Sequence, residues 1–170
     1  MYTVGFEALC TVAADLGASL REHGWRLATA ESCTGGLVSA AITSVAGSSD
    51  WFDRGFVTYS NAAKAELLGV DAALFSKVGA VSAEVARAMA LGALQGSGTD
   101  FAVAITGIAG PGGGTPEKPV GTVWFGLAWR ESETLRSEAR HALFKGERTS
   151  VRLQAAAFAL RWLQETARAG

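Results

Sequence analysis

A ten-residue stretch near the amino terminus constrains the fold more than any other part of the chain. Residues 27–36 read Leu-Ala-Thr-Ala-Glu-Ser-Cys-Thr-Gly-Gly, an apolar run that ends in small polar residues and two glycines. The pattern predicts a strand, a turn and a helix over residues 37–45, with Thr34 as N-cap and open backbone N–H groups for an anion or oxyanion. Ser32 would lie at the carboxyl end of the strand, where open α/β sheets bind ligands. A plain turn whose serine and threonine act only as caps fits the same residues.

Helical and extended segments mix along the rest of the chain. Residues 100–106 are almost wholly apolar, which predicts a strand covered on both faces in the middle of a sheet. The order of segments predicts an α/β fold, a single three-layer α/β/α domain over residues 1–170 with a mixed β-sheet. The periodicity gives helices over 6–23, 62–68, 82–94 and 148–167, strands over 25–30, 54–60 and 100–106, and an antiparallel hairpin of 120–129 with 134–144.

A glycine- and proline-rich segment interrupts this pattern. Residues 107–119 contain five glycines and three prolines, so they predict a long irregular loop, and such loops are usually functional. The segment lacks the Gly-Lys-Ser/Thr ending of a phosphate-binding P-loop and the G-x-G-x-x-G spacing of a dinucleotide-binding turn. Triphosphate hydrolysis and dinucleotide binding are therefore disfavoured.

The charge content predicts self-association rather than nucleic-acid binding. Charged residues make up 18% of the chain, against about 25% in typical soluble domains, and the net charge is −1 without a basic run. A nucleic-acid footprint needs clustered positive charge, so no direct nucleic-acid partner is expected. The apolar excess, with Trp51 and Trp129 expected at the surface, predicts a homodimer or higher homo-oligomer.

Cysteine and histidine are too few for a disulfide framework or a metal centre. The chain has two of each, Cys10, Cys33, His23 and His141. We therefore expect no metal and no cofactor, and a protein of the reducing cytoplasm. The sequence contains no apolar run of membrane-spanning length and no signal-peptide pattern, so no membrane association is expected.

A lysine is the best candidate for a general base, because neither histidine is near a glycine-rich turn. Lys64 would lie in the first turn of a helix capped by Asn61. The helix dipole there disfavours the ammonium form and lowers the lysine pKa, which suits proton abstraction. An ordinary surface lysine is the alternative interpretation.

Several residues could supply a nucleophile. Ser32 is at the strand-to-helix turn, while Ser48 and Ser49 precede the strand that leads to Tyr59 and Lys64. A thiolate at a helix N-terminus would also be activated, although a cysteine there can equally fill the core. A Ser–Lys pair is a known variant of the catalytic triad, and these residues leave the choice of nucleophile open.

Six short motifs follow one another along the chain, at residues 29–36, 47–49 before Trp51-Phe52, 57–61 with Lys64, 79–82, 107–111 and 118–123. Together, over about residues 5–165, they resemble the CinA C-terminal-domain family in its free-standing form, whose characterised members are nicotinamide-nucleotide amidases. The resemblance implies hydrolysis of the carboxamide of nicotinamide mononucleotide to nicotinate mononucleotide and ammonia, within NAD salvage. A catalytically inactive competence- or damage-inducible nucleotide-binding or regulatory module is the alternative.

The resemblance also implies active-site positions. We expect Ser49 as nucleophile, because it shares a loop-strand-helix unit with Lys64, the base. Tyr59 would orient Lys64 or donate to the oxyanion, and Ser32 would help Thr106 to hold the amide. Glu147 stands where the family usually has aspartate, which puts its role in doubt. The residues assigned to substrate binding are Thr34, Gly35, Gly36, Thr106, Gly107 and Arg148.

Overall fold

A five-stranded mixed sheet lies at the centre of the protein, for which a computed structural model describes residues 5–169. β1 pairs in parallel with β2 and β3, whereas β4 and β5 add an antiparallel hairpin. β3 lies in the middle, as its apolar sequence predicts. The strands, in the spatial order β2-β1-β3-β4-β5, are β1 (Leu27–Glu31), β2 (Phe52–Val57), β3 (Phe101–Gly107), β4 (Thr122–Glu131) and β5 (Thr134–Leu143).

Helices cover both faces of the sheet, which confirms the three-layer α/β/α prediction. Buried side chains of the first, second and sixth helices pack on one face, and those of the third and fifth pack on the other. Between residues 5 and 169, no helix is both long and apolar enough to cross a membrane. The helices are α1 (Phe6–His23), α2 (Leu37–Thr43), α3 (Asn61–Leu68), α4 (Ala72–Lys77), α5 (Ala83–Ser97) and α6 (Arg148–Ala169).

The two faces of β3 carry side chains of different size. Val103 and Ile105 pack with α1, α2 and α6, whereas Ala102 and Ala104 pack with α5. The small side chains let α5 approach the backbone of the sheet, and a Cβ at Gly126 on β4 would overlap the α5 backbone. This alternation fixes which face each helix covers.

The carboxyl ends of β1, β2 and β3 meet at one edge of the sheet because these strands run in the same direction. The backbone N–H of Ser32, after β1, donates to the carbonyl of Ile105 at 3.0 Å. The backbone N–H of Thr58, after β2, donates to the carbonyl of Glu31 at 2.9 Å. Residues that follow separate strands therefore converge at this edge, where ligands of open α/β sheets bind.

Several predicted boundaries are wrong. β1 begins at Leu27 rather than residue 25, and β2 spans Phe52–Val57 rather than 54–60. α4 is not predicted, because it has only six residues and its apolar side chains Leu74 and Phe75 are only partly buried. Ser60, not Asn61, caps α3, because its hydroxyl accepts from the N–H of Ala63 at 3.0 Å.

Trp51 is buried, contrary to the expectation that it lies at the surface. Its side chain is 0% exposed and belongs to the core cluster under α1 and α6. Gly17 on α1 makes room for the indole, since a Cβ there would lie 2.5 Å from two ring carbons. Trp129 is half-buried and packs against the same cluster.

Candidate functional site

An open cleft with a volume of about 270 Å³ lies at the edge where the parallel strands end. The ends of β1 and β3 form its floor, and the first residues of α3 and α6 form part of its wall. It brings together six of the residues assigned to the site from the sequence. These are Ser32, Tyr59, Lys64, Thr106, Gly107 and Arg148, joined in the cleft by Cys33, Asn61, Ala80, Val81 and Ala109.

A buried lysine contacts the serine at the end of β1. Lys64, the fourth residue of α3, is only 1% exposed, and its Nζ lies 3.0 Å from Ser32 Oγ. Nζ also lies 2.8 Å from the carbonyl oxygen of Thr58 and 3.4 Å from that of Tyr59. In the part of the chain that the structure describes, no salt bridge joins Lys64 to a carboxylate.

These three contacts accommodate either an ammonium, which donates to all three oxygens, or a neutral amine, which burial favours. Burial away from water lowers the pKa of Lys64 from the usual 10.5, and nearby Cys33 opposes this shift. A neutral amine has two N–H groups for the two carbonyl oxygens and one lone pair, which can accept the Ser32 hydroxyl proton. Burial, rather than the predicted helix dipole, is therefore the main cause of the shift.

The carboxylate of Glu31 accepts hydrogen bonds from the backbone N–H groups at the amino terminus of α2. Its Oε2 accepts from the N–H groups of Gly36 at 3.0 Å and Val38 at 3.1 Å. Its Oε1 accepts from the N–H and the hydroxyl of Ser39, both at 2.9 Å. Glu31 is 0% exposed, so this helix end is satisfied inside the protein.

The predicted N-cap role of Thr34 and the predicted ligand-facing N–H groups of Gly35 and Gly36 are therefore wrong. Gly36, with a φ of 103°, is the N-cap residue, and its N–H faces Glu31 instead of a ligand. The N–H of Gly35 donates to the carbonyl of Ser32 at 3.0 Å. Among the described residues Thr34 Oγ1 has no hydrogen-bond partner, and it is buried without capping the helix. The Glu31 carboxylate caps the helix in place of the Thr34 hydroxyl, because it accepts hydrogen bonds from several N–H groups and its negative charge is favourable at the positive end of the helix dipole.

Two backbone N–H groups next to Ser32 remain free. Within residues 5–169, the N–H groups of Cys33 and Thr34 donate to no oxygen, whereas those of Gly35, Gly36 and Val38 all do. Cys33 lines the cleft. A free N–H directly after a nucleophile is a common donor to an oxyanion.

The thiol of Cys33 is not activated. Its side chain is 6% exposed, and burial raises the pKa of the thiol from 9.0 to about 11. The thiol therefore stays protonated near neutral pH, which is unfavourable for a thiolate nucleophile.

Tyr59 and Arg148 border the mouth of the cleft. Arg148 Nη2 donates to the Tyr59 hydroxyl at 2.8 Å, and Nη1 donates to the carbonyl of Gly110 at 2.7 Å. Both side chains are exposed. Thr106, 1% exposed, donates its hydroxyl proton to the carbonyl of Ala80 at 2.9 Å, so this hydroxyl can only accept from a ligand.

Ser49 does not lie beside Lys64 within the chain. Ser49 is the exposed middle residue of the short 3₁₀ helix Ser48–Asp50, which precedes β2. Lys64 follows β2, and a strand of this length spans about 20 Å. Ser49 and Lys64 do share one loop-strand-helix unit, as predicted, but they lie at opposite ends of its strand, so the unit does not bring them together within one chain.

Arg152 is a site residue that the sequence analysis missed. It lies one turn after Arg148 on α6, and its Nε and Nη2 donate to the carbonyls of Cys33 and Thr34, both at 3.0 Å. The only signal in the sequence is the spacing of four between the two arginines, which places them on the same face of a helix.

Neither histidine lies in the cleft. His23 stacks on Trp25, and His141 packs against Trp124 on the hairpin. Between residues 5 and 169 there is no group of three or more histidine, cysteine, aspartate or glutamate side chains that could hold a metal ion. The polar chemistry of the cleft therefore rests on Ser32, Lys64 and the groups around them.

The site is thus a serine hydroxyl hydrogen-bonded to a buried lysine, at the carboxyl edge of the parallel strands of an α/β domain. Residues 10–167 match the CinA C-terminal domain. The chain belongs to this family.

Curated relatives and solved structures agree with the family. The nicotinamide-nucleotide amidohydrolase PncC of Enterobacter agglomerans is 57% identical over 146 residues, which are 86% of this chain and 87% of that protein. The protein of the same name from Escherichia coli K12 is 50% identical over 91% of this chain and 92% of its own length. A crystal structure of a competence-damaged protein (CinA) superfamily protein from Klebsiella pneumoniae superposes with a TM-score of 0.89 at 37% identity, covering 95% and 99% of the two chains.

Proposed function

We propose that this chain hydrolyses the carboxamide of nicotinamide mononucleotide to nicotinate mononucleotide and ammonia. The observation that carries the proposal is the 3.0 Å hydrogen bond between Lys64 Nζ and Ser32 Oγ in an open cleft. The other two partners of Nζ are neutral carbonyls, so the amine has no carboxylate to hold it protonated. The substrate is taken from the names of relatives that are 57% and 50% identical to the chain.

In the first half of the reaction, Ser32 Oγ attacks the carboxamide carbon and Lys64 Nζ accepts the hydroxyl proton. The carbonyl oxygen becomes an oxyanion, which the free N–H of Cys33 stabilises. When the tetrahedral intermediate collapses, the C–N bond breaks and Lys64 returns the proton to the leaving nitrogen. Ammonia leaves, and the nicotinoyl group stays on Ser32 as an ester.

In the second half, water replaces ammonia. Lys64 takes a proton from the water, whose oxygen attacks the ester carbon, and the bond to Ser32 Oγ then breaks with the proton returned to that oxygen. Arg148, at the mouth, is the guanidinium available to the substrate phosphate, since its fork suits phosphate oxygens. The scheme uses no metal or cofactor, and the product would enter NAD salvage in the cytoplasm.

Ammonia release from nicotinamide mononucleotide by the purified protein tests the proposal. We expect turnover that EDTA does not abolish. Ser32→Ala should lower kcat by at least about a thousandfold, because it removes the nucleophile rather than one oxyanion donor. Ser49→Ala is the matched control and should keep activity within about tenfold of the wild type, a barrier change of less than about 1.4 kcal/mol.

The remaining outcomes separate the alternatives. An inactive wild-type protein that still binds the nucleotide would favour the regulatory binding module. Full activity in Ser32→Ala with loss in Ser49→Ala would return the nucleophile to Ser49, which a second subunit would then have to bring to Lys64. Loss with EDTA and recovery with a divalent ion would reject the metal-free scheme.

A further inference from the structure

Each peptide group of the turn after Ser32 is held through its carbonyl oxygen. The carbonyl of Ser32 accepts from the N–H of Gly35 at 3.0 Å. The carbonyl of Cys33 accepts from Arg152 Nε at 3.0 Å. The carbonyl of Thr34 accepts from Arg152 Nη2 at 3.0 Å and from the N–H of Leu37 at 3.2 Å. Two of these three peptide groups therefore depend on one side chain.

The carbonyl contacts also set the direction of the free N–H groups. In a planar trans peptide, the N–H points away from the carbonyl oxygen of the same group. The contact of Arg152 with the Cys33 carbonyl thus fixes the Thr34 N–H, while Gly35 fixes the Cys33 N–H through the Ser32 carbonyl. Both free N–H groups beside the nucleophile lie on peptide planes that carbonyl contacts hold.

Arg152 is itself held by the core. It follows Val151 and precedes Ala155 on α6, and both of these residues are 0% exposed. Its guanidinium lies 3.4 Å from the position that a Cβ on Gly35 would occupy, so the turn passes directly over it. Arg152 does not line the cleft and therefore does not reach substrate there.

We propose that Arg152 is a positioning residue for the hydrolysis, holding the Cys33–Thr34 turn so that the free N–H of Cys33, the residue of this turn that lines the cleft, meets the oxyanion formed at Ser32. The bond of Arg152 to the Thr34 carbonyl holds the peptide group whose N–H, that of Gly35, in turn fixes the Ser32 carbonyl. This inference rests on the proposed function. The bidentate contact to two carbonyl oxygens needs the planar guanidinium group of arginine, whereas a lysine amine can reach only one carbonyl at a time. Arg152 therefore stabilises the transition state rather than the bound substrate, because the oxyanion is absent from the bound substrate.

Arg152→Lys and Arg152→Ala test the inference against Arg161→Met. Arg161 is an exposed arginine on the same helix that does not touch the turn. We expect kcat to fall by about a hundredfold in both Arg152 variants, as for the loss of an oxyanion donor, with KM within about threefold. The pH midpoint of activity should not move, since no contact of Lys64 involves Arg152. A low concentration of guanidinium should restore part of kcat in Arg152→Ala but not in Ser32→Ala.

Several results would overturn the inference. Wild-type kcat in Arg152→Lys would mean that charge alone, not the fork, matters. A rise in KM with unchanged kcat would assign Arg152 to substrate binding instead. If Arg152→Ala does not fold, Arg152→Lys carries the test, with the melting temperature measured beside kcat. A wild-type protein without amidase activity would remove the proposed function, whereas an active wild type with unaffected Arg152 variants would reject this inference alone.

Discussion

The amine of Lys64 is the group on which the proposed chemistry depends most directly. Lys64→Arg keeps a positive charge at the site but cannot give up a proton in a protein. We expect kcat to fall by about a hundred- to ten-thousandfold, the usual contribution of a general base. Lys77→Arg, an exposed lysine at the end of α4, is the control and should leave kcat unchanged. Retained activity in Lys64→Arg would reject the base role.

The titration of Lys64 predicts how activity and the free energy of unfolding depend on pH. Below its pKa Lys64 is an ammonium without a lone pair, so kcat/KM should rise with pH through a midpoint that burial sets below 10.5. The free energy of unfolding should rise over the interval between the folded and unfolded pKa values, because only the unfolded chain binds the proton there. Rate profiles and denaturant titrations measure the two effects. An acid limb with the same midpoint in residual Lys64→Met activity would assign the limb to another group.

Single residues could be predicted only where their chemistry is visible in the sequence. Lys64 stands out as a base because histidine is absent from the glycine-rich turns. The pairing of Lys64 with Ser32 instead of Ser49 could not be predicted, since it depends on the length of β2 and on the parallel pairing of β1 with β2. Glu31 and Arg152 were missed because both act on backbone atoms of the turn, and such contacts leave no pattern in the sequence.

At the level of elements, α1 has a glycine at the point where it packs against a buried indole. Gly17 faces the buried indole of Trp51, and a Cβ there would lie 2.5 Å from the ring. Alanine at this position would gain about 1 kcal/mol of helix propensity but cost about 1–3 kcal/mol through overpacking, so we expect a net loss of stability. Gly96 on α5 is the matched control, since its Cβ would lie 3.8 Å from Phe56.

Gly96→Ala should therefore raise the free energy of unfolding by about 0.5–1 kcal/mol. Denaturant unfolding of both variants measures the contrast. A stabilised Gly17→Ala variant would mean that Trp51 can move away from α1, against the close packing described above.

The types of the long elements follow from the sequence, whereas their ends do not. The apolar run of β3 and the stripe of α6 reflect burial, which the sequence encodes directly. α4 has six residues and only partly buried apolar side chains, so it is too short to show a helical period in the sequence. The acceptor for the N–H groups at the start of α2 is Glu31, five residues before the N-cap residue Gly36, because its carboxylate reaches the helix N-terminus from the preceding strand. Local cap rules cannot anticipate an acceptor from another element.

On the scale of the whole molecule, the order of elements and the parallel strands together locate the site. Three strands ending at one edge collect Ser32, Thr58 and Thr106 from distant parts of the sequence. The end of β3 and the long loop after it meet this edge through Gly107 and Ala109. The architecture thus fixes where chemistry occurs before any particular residue is considered.

We still expect self-association, but because of exposed side chains other than the two tryptophans named from the sequence. Trp51 is buried and contributes no surface, but Val57, Tyr59 and Leu67 are 51%, 63% and 51% exposed on the end of edge strand β2 and on α3. These side chains lie within eleven residues of one another in the sequence, and Tyr59 lines the cleft. Exposed apolar groups gathered in this way favour a contact with a second copy, and closed dimers are the common solution.

Light scattering at micromolar concentrations tests this expectation. The wild type should have twice the 17.6 kDa mass of one chain or a higher multiple, and Leu67→Glu should shift it toward the mass of one chain, because a carboxylate cannot be buried without a partner. Leu143→Glu is the control, since Leu143 is similarly exposed, at 54%, but lies on β5 at the opposite edge of the sheet. A monomeric wild type would reject self-association. If Leu143→Glu is monomeric and Leu67→Glu keeps the mass of the wild type, the subunit contact lies at the β5 edge instead.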